Sequence, residues 1–233
     1  MKKSIALISL CVMLVLSACS SSDKDNEKSS DTKASSEGRA TSKLPPISKD
    51  EDKILAALPE LEDLEAGMTE ETRGLVDPSE SSSNEDNPFS ECSGIESETT
   101  NSNVRAKAEA KFSRETSNSF VYDGQEISVE ISAFKSTKNV AASIDKIKEA
   151  FEKCEDEVLD QGNGITGSIT LSSPGDVSGA ENKLGITITL EYQGEELASF
   201  YMVFAVKDRF GVIAFSNNAE ETARLASLSL KRL

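Results

Sequence analysis

The sequence contains no histidine and no tryptophan, and its aromatic residues amount to three tyrosines and nine phenylalanines in 233 positions. Without histidine, the Ser-His-Asp and Cys-His relays have no proton carrier, and zinc enzymes lose their commonest ligand. With so few aromatic rings there is little to stack against sugars. Neighbouring carboxylates such as Glu195–Glu196 and Glu220–Glu221 therefore do not read as a glycosidase pair, which also needs its two acids on facing elements. Basic residues are scarce, 25 Lys and Arg against 41 Asp and Glu, for a formal charge of −16. That balance argues against nucleic acid or an anionic membrane surface as a partner, because both need a basic footprint. The acidic residues, densest between Glu60 and Glu98, read as a solvated surface. No Asp-x-Asp-x-Asp-Gly calcium loop occurs, nor a phosphate loop, a dinucleotide fingerprint or a Gly-x-Ser-x-Gly elbow. Ser143-Ile144-Asp145-Lys146 has the Ser-x-x-Lys spacing of penicillin-binding proteins, but without their Ser-Asp-Asn and Lys-Thr-Gly partners. The expectation is a protein that is not an enzyme, with no catalytic residue, no metal site and no cofactor.

What is present begins at the N-terminus. Lys2 and Lys3 precede an apolar run from Ile5 to Leu16, broken only by Ser9, and Leu16-Ser17-Ala18-Cys19 closes it with small residues before a cysteine. The run is too short for the ~20 residues that span a bilayer, and the three-part pattern is that of a secretory signal peptide over 1–18. Leu-Ser-Ala-Cys resembles the bacterial lipobox, in which the cysteine thiol is acylated and becomes the new N-terminus. An ordinary cut near Ala18, with Cys19 a bystander, is the alternative. The resemblance implies a lipid anchor at Cys19 on the outer face of the cell membrane. Residues 19–46 are rich in Ser, Asp, Lys, Glu, Asn and Thr. They cannot bury enough apolar surface to offset their ordering entropy, so the segment reads as a disordered tether closed by Leu44-Pro45-Pro46.

The remainder, 47–233, is enough for one domain. Ser48 and Glu51 have capping-box spacing ahead of Ile54, Leu55 and Leu58, with Pro59 as a stop. Residues 68–103, rich in Ser, Glu, Asn and Pro, read as a long acidic loop. Residues 108–121 are a weak strand candidate leading to an Asp123–Gly124 hairpin turn. Ile127, Val129, Ile131 and Ala133 alternate with Ser128, Glu130 and Ser132, the pattern of a strand with one buried face. Val140, Ile144, Ile147, Phe151 and Cys154 recur at helical spacing behind Ser136 or Thr137 as cap. Further strands are expected at Ile165–Leu171, around Ile186–Tyr192, at Leu197–Val206 and at Phe210–Phe215. Leu197–Val206 is apolar on both faces and so should be central. A last helix follows Asn218. The sum is an α+β fold, an antiparallel sheet of five or six strands with helices packed against it and one disulfide. Of the four cysteines, Cys11 leaves with the signal peptide and Cys19 is the acylation site. Cys92 and Cys154 remain as a pair in an oxidising compartment. Two free thiols are the alternative, and two sulfurs without histidine are too few for zinc.

The segments around these two cysteines carry a further resemblance. A proline-and-acid loop ending in cysteine (Asn87-Pro88-Phe89-Ser90-Glu91-Cys92), a hairpin and a helix ending in cysteine (IDKIKEAFEKC, closing at Cys154) follow one another. Together with the late apolar strand and the closing helix ETARLASLSLKRL, they resemble the extracellular sensor domain of actinobacterial receptor serine/threonine kinases of the PknH type. The resemblance covers about residues 48–233 and rests on order and spacing. It implies a sheet with helices around a cleft, and a domain that binds an unidentified small ligand without catalysis. A structural or partner-binding role, holding an envelope protein through the sheet or the acidic loop, is the alternative, and a weak hydrolase is a third reading. Family members often carry two disulfides, where this chain has cysteines for one, and Phe151 stands where a tryptophan often precedes the helix cysteine.

Overall fold

The computed structural model describes residues 44–78, 103–114, 125–155, 158–162 and 164–233. The expected signal peptide, Cys19, nearly all of the expected tether, the expected Asp123–Gly124 turn and Cys92 lie outside them. Among the described residues, one antiparallel sheet of eight strands runs in the order β1-β2-β3-β8-β7-β6-β5-β4. The strands are β1 (Thr69–Val76), β2 (Val104–Arg114), β3 (Gln125–Phe134), β4 (Leu159–Gly162), β5 (Ile165–Ser172), β6 (Asn182–Tyr192), β7 (Glu195–Lys207) and β8 (Phe210–Ser216). Among the described residues, three α-helices pack on it: α1 (Ile47–Ala57), α2 (Thr137–Cys154) and α3 (Ala219–Arg232). The α+β architecture is as expected, but the strand count of five or six is not. The reason lies in β1 and β4. Thr69–Val76 falls within the segment read as a loop, because it is exposed on both faces and shows no alternation. Its pairing with β2 makes it a strand. β2 also starts earlier than the predicted 108, and residues 115–121 of that expectation lie outside the described residues.

The central strands are β7 and β8, and both of their faces are covered. Val203, Ala205, Val212 and Ala214 join Ala108, Ala110, Val129 and Ile131 in a core under α1 and α3. Phe200, Met202, Phe204, Ile213 and Phe215 form a second core with Val140, Ile144, Ile147 and Phe151 of α2. The first is rich in alanine on sheet and helix alike, which lets α1 and α3 lie close to the strands. The second is filled by phenylalanines, with Phe200 and Phe215 stacked at 5.5 Å. The expected stripe on α2 is buried in full, from Val140 to Cys154.

Local chemistry sets the ends. Ser136 caps α2 by accepting from the Asn139 amide at 3.2 Å. Asn218 caps α3 in the same way from Glu221, at 3.0 Å. The Ser48–Glu51 box does not form. Helix α1 begins at Ile47 behind Pro46, which occupies the cap position with ψ 147° and has no side-chain oxygen to accept from the first amides. Leu58 leaves the helix in extended conformation ahead of Pro59, as the restriction on residues before proline dictates. Gln193 and Gly194 both take positive φ, 55° and 83°, in the tight turn between β6 and β7. Gly185 is required for a different reason: a Cβ there would meet the Pro174 nitrogen at 2.6 Å and the Ser172 oxygen at 2.7 Å. The chain crossing over β6 needs that gap to bring Val177 into the core.

The C-terminal helix ties down the α1–β1 connection. Arg232 grips Asp63 through two nitrogens, at 2.8 and 2.9 Å, and donates to the Leu58 carbonyl at 3.0 Å. Partial burial pulls the Asp63 carboxyl upward, but Arg232 and the Glu60 amide outweigh it and hold the group below its usual range.

Candidate ligand-binding site

The face of the sheet that carries α2 is divided. Helix α2 lies against β5 to β8 and the end of β3, over the apolar half. On β2 and β3 the same face turns polar: Lys107, Glu109 and Lys111 stand opposite Ser132, Glu130 and Ser128 in register. All but Lys111 are buried. Beta3 was expected to have one wet face; instead its alternate polar residues are as enclosed as its apolar ones. Alternation fixes which residues share a face, whereas the packing over that face fixes whether it meets water.

The geometry is a quartet of alternating charge. Glu109 and Glu130 face each other across the ladder, a repulsive pairing by itself. Lys107 sits 2.7 Å from Glu130, and Lys111 sits 3.0 Å from Glu109, so each carboxylate has its own ammonium. Burial drives the Glu130 carboxyl above its ordinary value, with Lys107 acting the other way and Glu109 adding to the rise. On either side of Glu130, the hydroxyls of Ser128 and Ser132 are buried without a hydrogen-bond partner. Gly74 of β1 lies opposite Glu109, with open space where its Cβ would be. Buried hydroxyls in native proteins almost always have partners, so a floor with two orphans and four charges is chemically unfinished. It offers donors, acceptors and both signs of charge to a small polar molecule.

Glu130 makes this floor testable through pH. Its folded-state value is raised above the ordinary 4.5, so the folded protein holds that proton more tightly than the unfolded chain does. The associated stability is present below the ordinary glutamate value and is lost as pH rises through the folded-state value. Urea unfolding is expected to show stability falling across this window in the wild type, and a flatter profile in Glu130→Gln. An identical slope in both proteins would remove Glu130 as its source.

The residues singled out in the sequence are not brought together here. Ser143 of the Ser-x-x-Lys match is buried mid-helix and donates to the Asn139 carbonyl at 3.0 Å, which occupies its hydroxyl as a local helix bond. Cys154 is buried and disulfide-bonded at the end of α2. Between α2 and the sheet, the space lined by Phe134, Val140, Ser143 and Gly211 is about 10 Å³, no more than one water needs. That space admits no larger ligand. Among the described residues no group of three or more metal-ligating side chains occurs. The polar floor itself went unread in the sequence. The signal was there in Ser128, Glu130 and Ser132 facing Lys107, Glu109 and Lys111, but alternation of this kind ordinarily marks the wet side of a strand.

These features define a class: an α+β domain with one antiparallel sheet, helices on both faces, and a charged floor beside one helix. Among solved structures, the chain is similar to the extracellular domain of PknH from Mycobacterium tuberculosis. The TM-score is 0.51 at 12% identity, over 78% of this chain and 97% of that one. It is also similar to an uncharacterized protein from Mycobacterium smegmatis, an ortholog of Rv0999. There the TM-score is 0.41 at 12% identity, over 76% of this chain and 95% of the other. No protein family matches the sequence, and no curated protein matches it. The chain thus shares the fold of the PknH extracellular domain, nearly the whole of which it spans.

Proposed function

We propose that this protein is a lipoprotein held at the outer face of the cell membrane by acylated Cys19, and that its folded part is a non-catalytic, sensor-like domain binding a small polar ligand. The observation that carries the ligand reading is the buried floor of β2 and β3, where the Ser128 and Ser132 hydroxyls lack partners beside the Lys107–Glu130 pair. The fold shared with an extracellular domain supports the placement. So does the lipobox-like sequence ahead of Cys19. Among the described residues no helix is long and apolar enough to cross a membrane. The disulfide of Cys154 is assigned to Cys92, the one cysteine left once Cys11 and Cys19 are accounted for.

The decisive experiment pairs wild type with a Ser128→Ala/Ser132→Ala variant in a thermal-shift screen of zwitterionic and hydroxylated small molecules. Removing a buried hydroxyl that has no partner relieves desolvation, so the variant should be as stable as wild type, or more stable by about 1 kcal/mol. A molecule that stabilises wild type should bind the variant roughly tenfold more weakly for each hydroxyl it used. If every stabilising molecule protected both proteins equally, the floor would not be the site. Anchoring is read separately. Cys19→Ala should abolish the acylated N-terminal peptide in mass spectrometry, and an unmodified peptide in wild type would defeat the lipoprotein reading.

A second reading has its own observation. The edge strand β1 exposes Leu75 and has no neighbour beyond it among the described residues. An edge of this kind accepts an added strand. It favours docking of an envelope protein, which in-cell crosslinking at position 75 would capture as one stoichiometric product.

A further inference from the structure

The acidic total conceals a local surplus of positive charge. An open depression of about 600 Å³ lies where the chain enters the folded region, lined by Pro45, Lys49, Asp50, Lys53, Thr137, Asp208, Arg209 and Phe210. Arg105 stands directly behind it, donating to Asp50 at 2.7 Å and to the Pro45 carbonyl at 2.8 Å. Four cations therefore meet two carboxylates, in a protein whose formal charge is −16. Glu51 and Asp52 of α1 are not among the lining residues.

The carboxylate of Asp50 is already shared. It accepts from Arg105 and from both terminal nitrogens of Arg209. One negative charge between two guanidinium groups leaves a net positive site. Arg209 is fixed further by the Phe134 carbonyl at 3.2 Å, which commits three of its five N–H groups and leaves two to donate. Its guanidinium carbon lies 4.9 Å from the centre of the Phe210 ring, and the Lys53 ammonium lies 4.5 Å from the same centre. The two cations are thus within about 10 Å of each other, roughly one Debye length at moderate salt, and they repel. Neither Lys49 nor Lys53 has an ion-pair partner among the described residues. A held guanidinium fork, two free ammonium groups and the Thr137 hydroxyl are the parts from which phosphate sites are built.

We propose that this depression is a second binding site, separate from the β2–β3 floor, and that it takes a phosphate group. Inorganic phosphate and a phospholipid headgroup share this chemistry. The site adjoins Pro45, the residue at which the N-terminal segment joins the fold, so a headgroup would be within reach of an anchored chain.

The test uses the full chain in neutral detergent, with heat of binding as the readout and three probes: inorganic phosphate, dihexanoyl phosphatidylglycerol below its micelle concentration, and dihexanoyl phosphatidylcholine as the zwitterionic comparison. Saturable binding of phosphate or of the glycerol lipid is expected, weakening with salt, and roughly tenfold weaker in Lys49→Gln/Lys53→Gln. Both lysines are exposed on α1, so that variant should fold. Lys146→Gln/Lys148→Gln, on the wet side of α2, should bind like wild type. Preference for the glycerol lipid over the choline lipid identifies a headgroup, and binding of phosphate alone identifies a soluble anion. No binding of either, or equal binding by the Lys49/Lys53 variant, overturns the proposal. Neither outcome bears on Ser128 and Ser132.

Discussion

Replacing Asp50 with alanine is expected to lower the unfolding free energy by about 3–5 kcal/mol, the cost of leaving a buried charge without its partner. The Asp50 carboxylate is 2% exposed, and Arg105 and Arg209 are 11% and 15% exposed, so the charges are largely removed from water. The three residues come from α1, the start of β2 and the β7–β8 turn, and they meet only in the folded state. Removing the acid strands two guanidinium groups beside each other, while exposed pairs such as Lys148–Glu152 contribute at most about 1 kcal/mol. Urea unfolding of Asp50→Ala against Glu152→Ala separates the two situations. A loss below about 1 kcal/mol for Asp50→Ala would mean that water reaches the guanidiniums and the triad is no more than a surface pair.

The second large effect is expected from the cysteines. Cys92→Ser should destabilise the protein by on the order of 4 kcal/mol, the chain-entropy value for closing a loop of the length between Cys92 and Cys154. It should also free the Cys154 thiol. Because Cys154 is fully buried against Phe151 and Ile169 in the α2 core, alkylation should be slow in the folded variant and rapid in urea, whereas wild type should resist in both. Equal melting temperatures for wild type and variant, or prompt alkylation of wild type in urea, would rule out the Cys92–Cys154 pairing. The double variant Cys92→Ser/Cys154→Ser should lose about as much as the single, since the bridge is broken once.

How far the sequence could be read depended on whether burial followed the local pattern. The α2 stripe from Val140 to Cys154, the caps at Ser136 and Asn218, and the two-sided apolar strand Leu197–Val206 all took their expected places. In each of them the residues that decide the element are neighbours along the chain. Strand β1 was missed because TEETRGLV has no periodicity of its own, and its state is imposed by β2. The polar floor was missed because the period-2 pattern of β3 states which residues share a face. It does not state whether that face meets water; what packs over the face decides that, and here the face is buried.

The lysines of the Pro45 depression illustrate the same limit from the other direction. Nothing in the local pattern singles out Lys49, Lys53 or Arg209. Nothing in their spacing indicates that the β7–β8 turn folds back onto the first helix, 159 positions away along the chain. Alone, therefore, the sequence determined the lack of histidine, the helices, the apolar strands and the α+β class, because all of these are composition or local period. The tertiary structure decided the strand count, the enclosure of the Glu130 quartet and the gathering of four cations around Asp50. Those depend on which distant segments share the same space, and burial, desolvation and charge pairing are set by neighbours in space.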